Sequence, residues 1–206
     1  MGKHRAPDAD PTDFDAATSA LVDVTGDYEV DVAHTRIGIR ARHAMVTTVR
    51  GSFGDFAGTA HLDVADPAAS SVTLRIRTAS IDTGVEQRDT HLRSADFFDV
   101  ERFPAITFQS TKVEKSSGNG LQVTGNLTIR DVTREVVLEA EQLGIGKDPW
   151  GNVKVAFEAK TSVDRRDFGL KWNQALETGG VLVGEKVEIS LELQAVKAQQ
   201  GAEKAA

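Results

Sequence analysis

The chain of 206 residues contains no cysteine. Disulfides, thiolate metal sites and cysteine nucleophile chemistry are therefore excluded. No apolar run approaches the roughly 20 residues that a membrane-spanning helix needs. Basic residues are in the minority, 24 Lys and Arg against 31 Asp and Glu, for a net charge of −7. Nucleic-acid affinity comes mainly from basic patches, so a phosphate backbone is a poor partner for this chain. What remains is ordinary globular composition, 40% hydrophobic and 27% charged, at a length that fits one domain with a sizeable core.

The ends are poor in apolar groups. Met1 to Ala20 carries only Phe14 as a large apolar side chain. A signal peptide needs an apolar stretch of about 7–15 residues after its basic start. Here Ala6-Pro7-Asp8 follows Lys3, His4 and Arg5. Gly2 suggests myristoylation, but Ala6 stands where Ser or Thr is required. The sequence predicts a disordered tail over residues 1–25, a folded domain over 26–197, a second tail over 198–206, and a cytoplasmic protein.

Between the tails, apolar and polar residues alternate with the period of a half-buried strand. Tyr28, Val30 and Val32 alternate with Glu29 and Asp31, and Ile37, Ile39 and Ala41 with Gly38 and Arg40. Val72, Leu74 and Ile76 alternate with Thr73 and Arg75. Leu121, Val123, Leu127 and Ile129 alternate with polar neighbours, as do Val153, Val155, Phe157 and Ala159. The same holds for Val187, Ile189, Leu191 and Leu193. Turns are predicted at Ser117-Gly118-Asn119-Gly120, at Pro149-Trp150-Gly151-Asn152 and at Arg130-Asp131-Val132-Thr133. The stretch from Val49 to Val64 slips phase between Phe53 and Phe56, which places a bulge or bend at Gly51 or Gly54.

One segment breaks the pattern. Leu92, Ala95 and Phe98 or Phe97 recur at helical spacing, with Asp82-Thr83 as a candidate cap and Glu86 in the first turn. This predicts a short helical insertion near residues 85–99. Around it, roughly eight strands, joined mostly by hairpins, form an antiparallel all-β sheet with one apolar face. Closure into a barrel and stacking into a sandwich both hide that face. A barrel of this size is either filled by side chains or holds one small ligand.

Several motifs fail on context. Asp167-Phe168-Gly169 matches a kinase triplet but has no glycine-rich loop or catalytic loop beside it. In Gly144-Ile145-Gly146-Lys147, Asp148 follows the lysine where a phosphate loop needs Ser or Thr. His4, His34, His43, His61 and His91 form no HExxH pattern and no close pair, so no metal site is predicted. No serine sits on a nucleophile elbow. Arg88, Asp89 and His91 stand out. Arg88 and His91 share a helical face, whereas Asp89 and His91 do not. This cluster either pins the helix or meets the polar head of a ligand.

The residues also resemble a known family. Tyr28-Glu29-Val30-Asp31 followed by His34-Thr35 is similar to the opening of the YceI-like proteins. Ser80 to Thr111 resembles that family's central signature. Gly125-Asn126-Leu127-Thr128-Ile129 with Val132-Thr133, and then Asp164-Arg165-Arg166-Asp167-Phe168-Gly169, resemble its later blocks. The resemblance covers Gly26 to about Lys197 in order. It implies an extended lipocalin-like, eight-stranded antiparallel barrel, with homodimers in some members. Many of these bacterial proteins are secreted to the periplasm, a pattern from which the tail reading departs.

The family further implies an elongated apolar cavity for a polyisoprenoid chain, such as an isoprenoid quinone or a polyprenyl lipid. The implied function is binding, not catalysis, with no cofactor. On the early strands the expected lining is Ile37, Ile39, Phe56, Leu74 and Ile76. On the later strands it is Ile106, Phe108, Leu127, Ile129 and Phe157. The insertion and the last blocks add Leu92, Phe97, Phe98, Phe168 and Trp172. His34, Arg88, Asp89 and His91 are expected to form either the head-group end or a structural polar cluster. A catalyst built on Arg88, Asp89 and His91 is the competing reading, and a side-chain-filled interaction domain is another.

Overall fold

The computed structural model describes residues 24–44, 46–177 and 179–199. The expected tails fall outside it, apart from residues 24, 25, 198 and 199. Val24 is 8% exposed and accepts a 2.7 Å hydrogen bond from the Tyr28 hydroxyl, so packing begins ahead of the expected boundary.

The strands are β1 (Gly26–Val30), β2 (Arg36–His43), β3 (Thr47–Phe53), β4 (Phe56–Leu62), β5 (Ser71–Arg77) and β6 (Ile81–Asp82). Helix α1 (Glu86–Arg93) follows, and then come β7 (Ala105–Lys115), β8 (Gly120–Ile129), β9 (Val132–Lys147), β10 (Val153–Asp164) and β11 (Val183–Lys197). β1 and β2 are two halves of one line, both antiparallel to β11. β3 and β4 run beside that line, and β6 and β5 run beside them in turn. The eleven segments therefore form eight lines, and the ring closes where β1 meets β11. Closure pairs most of the sheet edges and encloses the apolar faces, the choice that alternation alone left open.

The first three lines break at neighbouring levels. At Asp31–Thr35 the Thr35 hydroxyl accepts from Gln194 N at 3.1 Å and lies 3.3 Å from its carbonyl, replacing ladder partners. Val32, expected in the strand, lies instead in the 3-10 turn Val32–His34 and is exposed. The phase slip after Phe53 is a break at Gly54–Asp55, where Gly54 N donates to Ser80 O at 3.3 Å. Gly51, the other candidate, stays in register opposite Ile39. The third break, the 3-10 turn Thr78–Ser80, is tied to the start of β7 by Thr78 Oγ1 donating to Phe103 O at 2.6 Å.

The predicted turns form. Arg130 adopts φ 58° in the two-residue link between Ile129 and its register partner Val132. Asp148 organises the β9–β10 turn by accepting from Trp150 N and Asn152 N at 3.0 and 2.9 Å. The Asn152 side-chain hydrogen bond heads the interactions that hold the Asp148 carboxyl below its usual range. The cap of α1 differs from expectation. Its N-cap is Val85 with no side-chain bond, and Asp82 bonds Gly84 N instead. Among the described residues no helix is long and apolar enough to cross a membrane.

One large apolar cluster joins Phe53, Ile81, Phe97, Phe98, Phe108 and Leu191, among others. A smaller one at the opposite end gathers Val24, Tyr28, Val155 and Ala195. Each fully buried Ile or Phe contributes about 1.5–3 kcal/mol. Phe108 packs on the bare backbone of Gly125, where a Cβ would sit 2.5 Å from Phe108 Cζ.

Candidate functional site

The interior is built by register. Leu121 pairs with Ala140, Ala140 with Ala159, Ala159 with Leu191, Leu191 with Ile37, Ile37 with Phe53, and Phe53 with Ile81. Because facing residues share a side of the sheet, this belt of apolar groups runs obliquely round the inner wall. Its two ends differ in bulk. Ile37, Phe53 and Ile81 are large and buried, and Phe98 packs edge-on to Phe53 at 5.8 Å. Ala140 and Ala159 are small and half-buried, as are the larger Leu121, Leu138, Ile189 and Leu193.

The expected lining residues meet in the large cluster, with one exception. Ile37, Phe56, Leu74, Ile76, Ile106 and Phe108 are buried in it. So are Leu127, Ile129, Phe97, Phe98 and Phe168, while Ile39, Leu92 and Trp172 are half-buried against it. Phe157 packs instead against the smaller cluster. Sequence reasoning left out Leu138, Ala140, Ala159, Ile189 and Leu193, although the same alternation marks them.

The insertion stoppers one end. Asp89 is 3% exposed, and its carboxylate accepts Thr83 N at 3.0 and 3.2 Å and Thr83 Oγ1 at 2.5 Å. Arg88 grips the same residue, Nε donating to Thr83 Oγ1 at 2.7 Å and an Nη to Thr83 O at 2.8 Å. Arg93 donates to Ala79 O and Ile81 O at 3.1 and 3.0 Å, which straps α1 to the β5–β6 break. His91 lies 2.9 Å from Asp96 and packs edge-on against Phe97 and Trp172, at 5.1 and 4.5 Å. His34 does not join them. It sits in the β1–β2 break, 61% exposed, with Nδ1 2.9 Å from Asp31. Burial opposes ionisation of Asp31, but hydrogen bonds from His34, Gln194 and Lys154, with the His34 charge, hold its carboxyl below the usual range.

A second structural group was missed. Arg165 is 5% exposed and donates to four carbonyls, those of Leu170, Trp172, Val183 and Gly184. Burial pushes its guanidinium pKa down, against the nearby Asp164 and Glu185 charges. These bonds fasten the crossover between the 3-10 turn Arg165–Phe168 and β11. No signal short of the family motif distinguishes Arg165 from a surface arginine. Among the described residues no group of three or more His, Asp or Glu side chains converges to hold a metal ion.

The closed eight-line ring, its apolar inner belt and its stoppered end define the chain as an antiparallel β-barrel of the lipocalin-like kind. The family model described as YceI-like domain matches residues 28–195. The chain belongs to the YceI-like family. Protein YceI of Escherichia coli O17:K52:H18 is 42% identical over 150 residues, 72% of this chain and 78% of the relative. The UPF0312 protein plu2095 of Photorhabdus laumondii is 41% identical over 75% of this chain and 80% of its own. The crystal structure of Burkholderia cenocepacia BcnA superposes with a TM-score of 0.71 at 25% identity, covering 80% of this chain and 98% of that one. A polyisoprenoid binding domain from Saccharophagus degradans shares the fold, with a TM-score of 0.57 at 15% identity over 83% of this chain and 98% of its own.

Proposed function

We propose that this barrel binds a long apolar isoprenoid lipid, an isoprenoid quinone or a polyprenyl lipid, and holds or carries it unaltered. The observation that carries the reading is the inner face of β8 to β11. There Leu121, Leu138, Ala140, Ala159 and Leu193 face inward and are only half-buried against the large cluster. Such a lining suits a chain of methyl-branched apolar units. Burying ten methylene-sized groups gains roughly 8 kcal/mol before ordering costs, which corresponds to about micromolar affinity. Membership of the YceI-like family supports the reading. Arg88 and Asp89 spend their hydrogen bonds on Thr83, which supports a scaffold role for the pair over a catalytic one.

The test is a series of fluorescent geranyl, farnesyl and geranylgeranyl probes titrated into the protein. Saturable binding of one probe per chain, weakly dependent on salt, is expected, because apolar burial drives it. Phe108 already fills its place on Gly125, so bulk is better added at Ala159. Ala159→Leu is expected to weaken the geranylgeranyl probe more than the geranyl one. Absence of saturable binding, or equal losses at every chain length, overturns the reading and leaves a filled barrel.

A further inference from the structure

The β9–β10 ladder stops short of the strand ends, and beyond it the 3-10 turn Arg165–Phe168 packs against β9. The ladder runs from Val153↔Lys147 to Lys160↔Glu139 and stops there. Beyond that point β9 continues to Val132, paired only with β8, and β10 continues to Asp164, paired only with β11. Among the described residues no strand pairs with the free edge of β9 from Val132 to Leu138. Two side chains register the opening. Arg134 faces Leu127 across the β8–β9 ladder and so takes the inward phase, yet it is exposed. Val137, the next outward residue after Glu139, is 45% exposed.

An outer pocket of about 540 Å³ straddles the point of parting. Val137 and Glu139 line it from β9, Lys160 to Ser162 from β10, and Lys186 and Glu188 from β11. Behind the opening lie Val136, Leu138 and Val163, half-buried on the inner face. The pocket's two carboxylates already face cations, Glu188 with Arg40 and Glu139 with Lys160 at 4.0 Å. Among the described residues Lys186 makes no ion pair, which leaves the pocket a positive charge without a carboxylate partner there.

Resting on the lipid-binding reading, we infer that the β9–β10 parting is a lateral portal. The apolar chain passes between Leu138 and Val163 into the barrel. An anionic head group, a phosphate or carboxylate, stays outside in the pocket beside Lys186. At one end of the barrel, α1 and Arg165 fasten segments across the mouth. A side opening also lets a flexible chain enter progressively, with its polar end never leaving water.

The absence of cysteine makes the test clean. Val137→Cys with Ser162→Cys places two thiols across the opening, to be bridged by a short bis-maleimide. Glu158→Cys with Glu192→Cys, on register partners of the intact β10–β11 ladder, is the bridged control. The readouts are stopped-flow association of a fluorescent geranylgeraniol and its release from protein loaded before bridging. Bridging the opening is expected to slow both at least tenfold. The bridged Glu158/Glu192 control keeps its own unbridged rates, and the Val137/Ser162 variant is compared with itself before and after bridging. Unchanged rates after bridging overturn the portal while leaving lipid binding intact. No binding by the wild type overturns both. Separately, Lys186→Glu is expected to weaken geranylgeranyl monophosphate at least fivefold more than geranylgeraniol. An unchanged ratio overturns the head-group placement.

Discussion

Asp89→Ala tests whether the polar cluster of α1 is scaffold or ligand site. The Asp89 carboxylate is 3% exposed and receives Thr83 N and Thr83 Oγ1, while Thr83 in turn receives Arg88. Alanine removes the acceptor and leaves a buried amide and hydroxyl to be satisfied elsewhere. Hydrogen bonds to a charged acceptor contribute about 1.5–3 kcal/mol each, and breaking a buried charged group's interactions costs about 3–5 kcal/mol. With a urea m-value of about 2 kcal/mol/M, the unfolding midpoint is expected to fall by about 1.5–2.5 M. Asp89→Asn keeps one carbonyl acceptor and is expected to lose roughly half as much. Probe affinity, measured in buffer where both variants are folded, is expected to stay within about threefold of wild type, roughly 0.7 kcal/mol. An unchanged midpoint with lost binding would move Asp89 from scaffold to ligand site.

Three further outcomes follow from other parts of the fold. Hydrogen bonds from Arg166 lower the Asp164 pKa to about 2, so this group's stabilisation is complete above the ordinary carboxylate range and is lost as pH falls through about 2. Urea midpoints measured from pH 5 to pH 2 should therefore fall less steeply in Arg166→Gln, and by a smaller margin in high salt, because Arg166 is exposed. Gly125→Ala puts a Cβ 2.5 Å from Phe108 Cζ and 2.6 Å from Gln109 O, and is expected to cost about 1–3 kcal/mol in urea unfolding, partly recovered by Phe108→Leu. Arg165→Met removes the donors from four carbonyls, and the 170–184 crossover is expected to become the first site of limited proteolysis, with Arg165→Lys only partly protective.

Much of the architecture was legible because each line of the barrel has one dry and one wet face, and that asymmetry is written directly in the period-two pattern. Phe53 and Phe56 disclosed their break because two inward residues cannot be three apart in an unbroken strand. Val32 misled for the converse reason. It keeps the phase of Tyr28 and Val30, yet the chain has already turned at Asp31, whose side chain bonds Ala33 N. Alternation reports which face a residue takes and is silent on whether the neighbouring strand is there. Val136 and Leu138 therefore look like any paired inward residues, although β10 has left their side. Polar roles were harder still. Arg165 and His34 are both single polar residues in a sequence, and only three-dimensional packing makes one buried and the other exposed.

The most direct measurement is native mass spectrometry of the purified protein, before and after organic extraction, with mass analysis of the extract. The expected result is a chain carrying one apolar adduct, removed by extraction, restored by adding a long isoprenoid and identified in the extract as an isoprenoid lipid. A chain at its bare mass that also fails to take up the added isoprenoid contradicts the hollow, lipid-holding barrel.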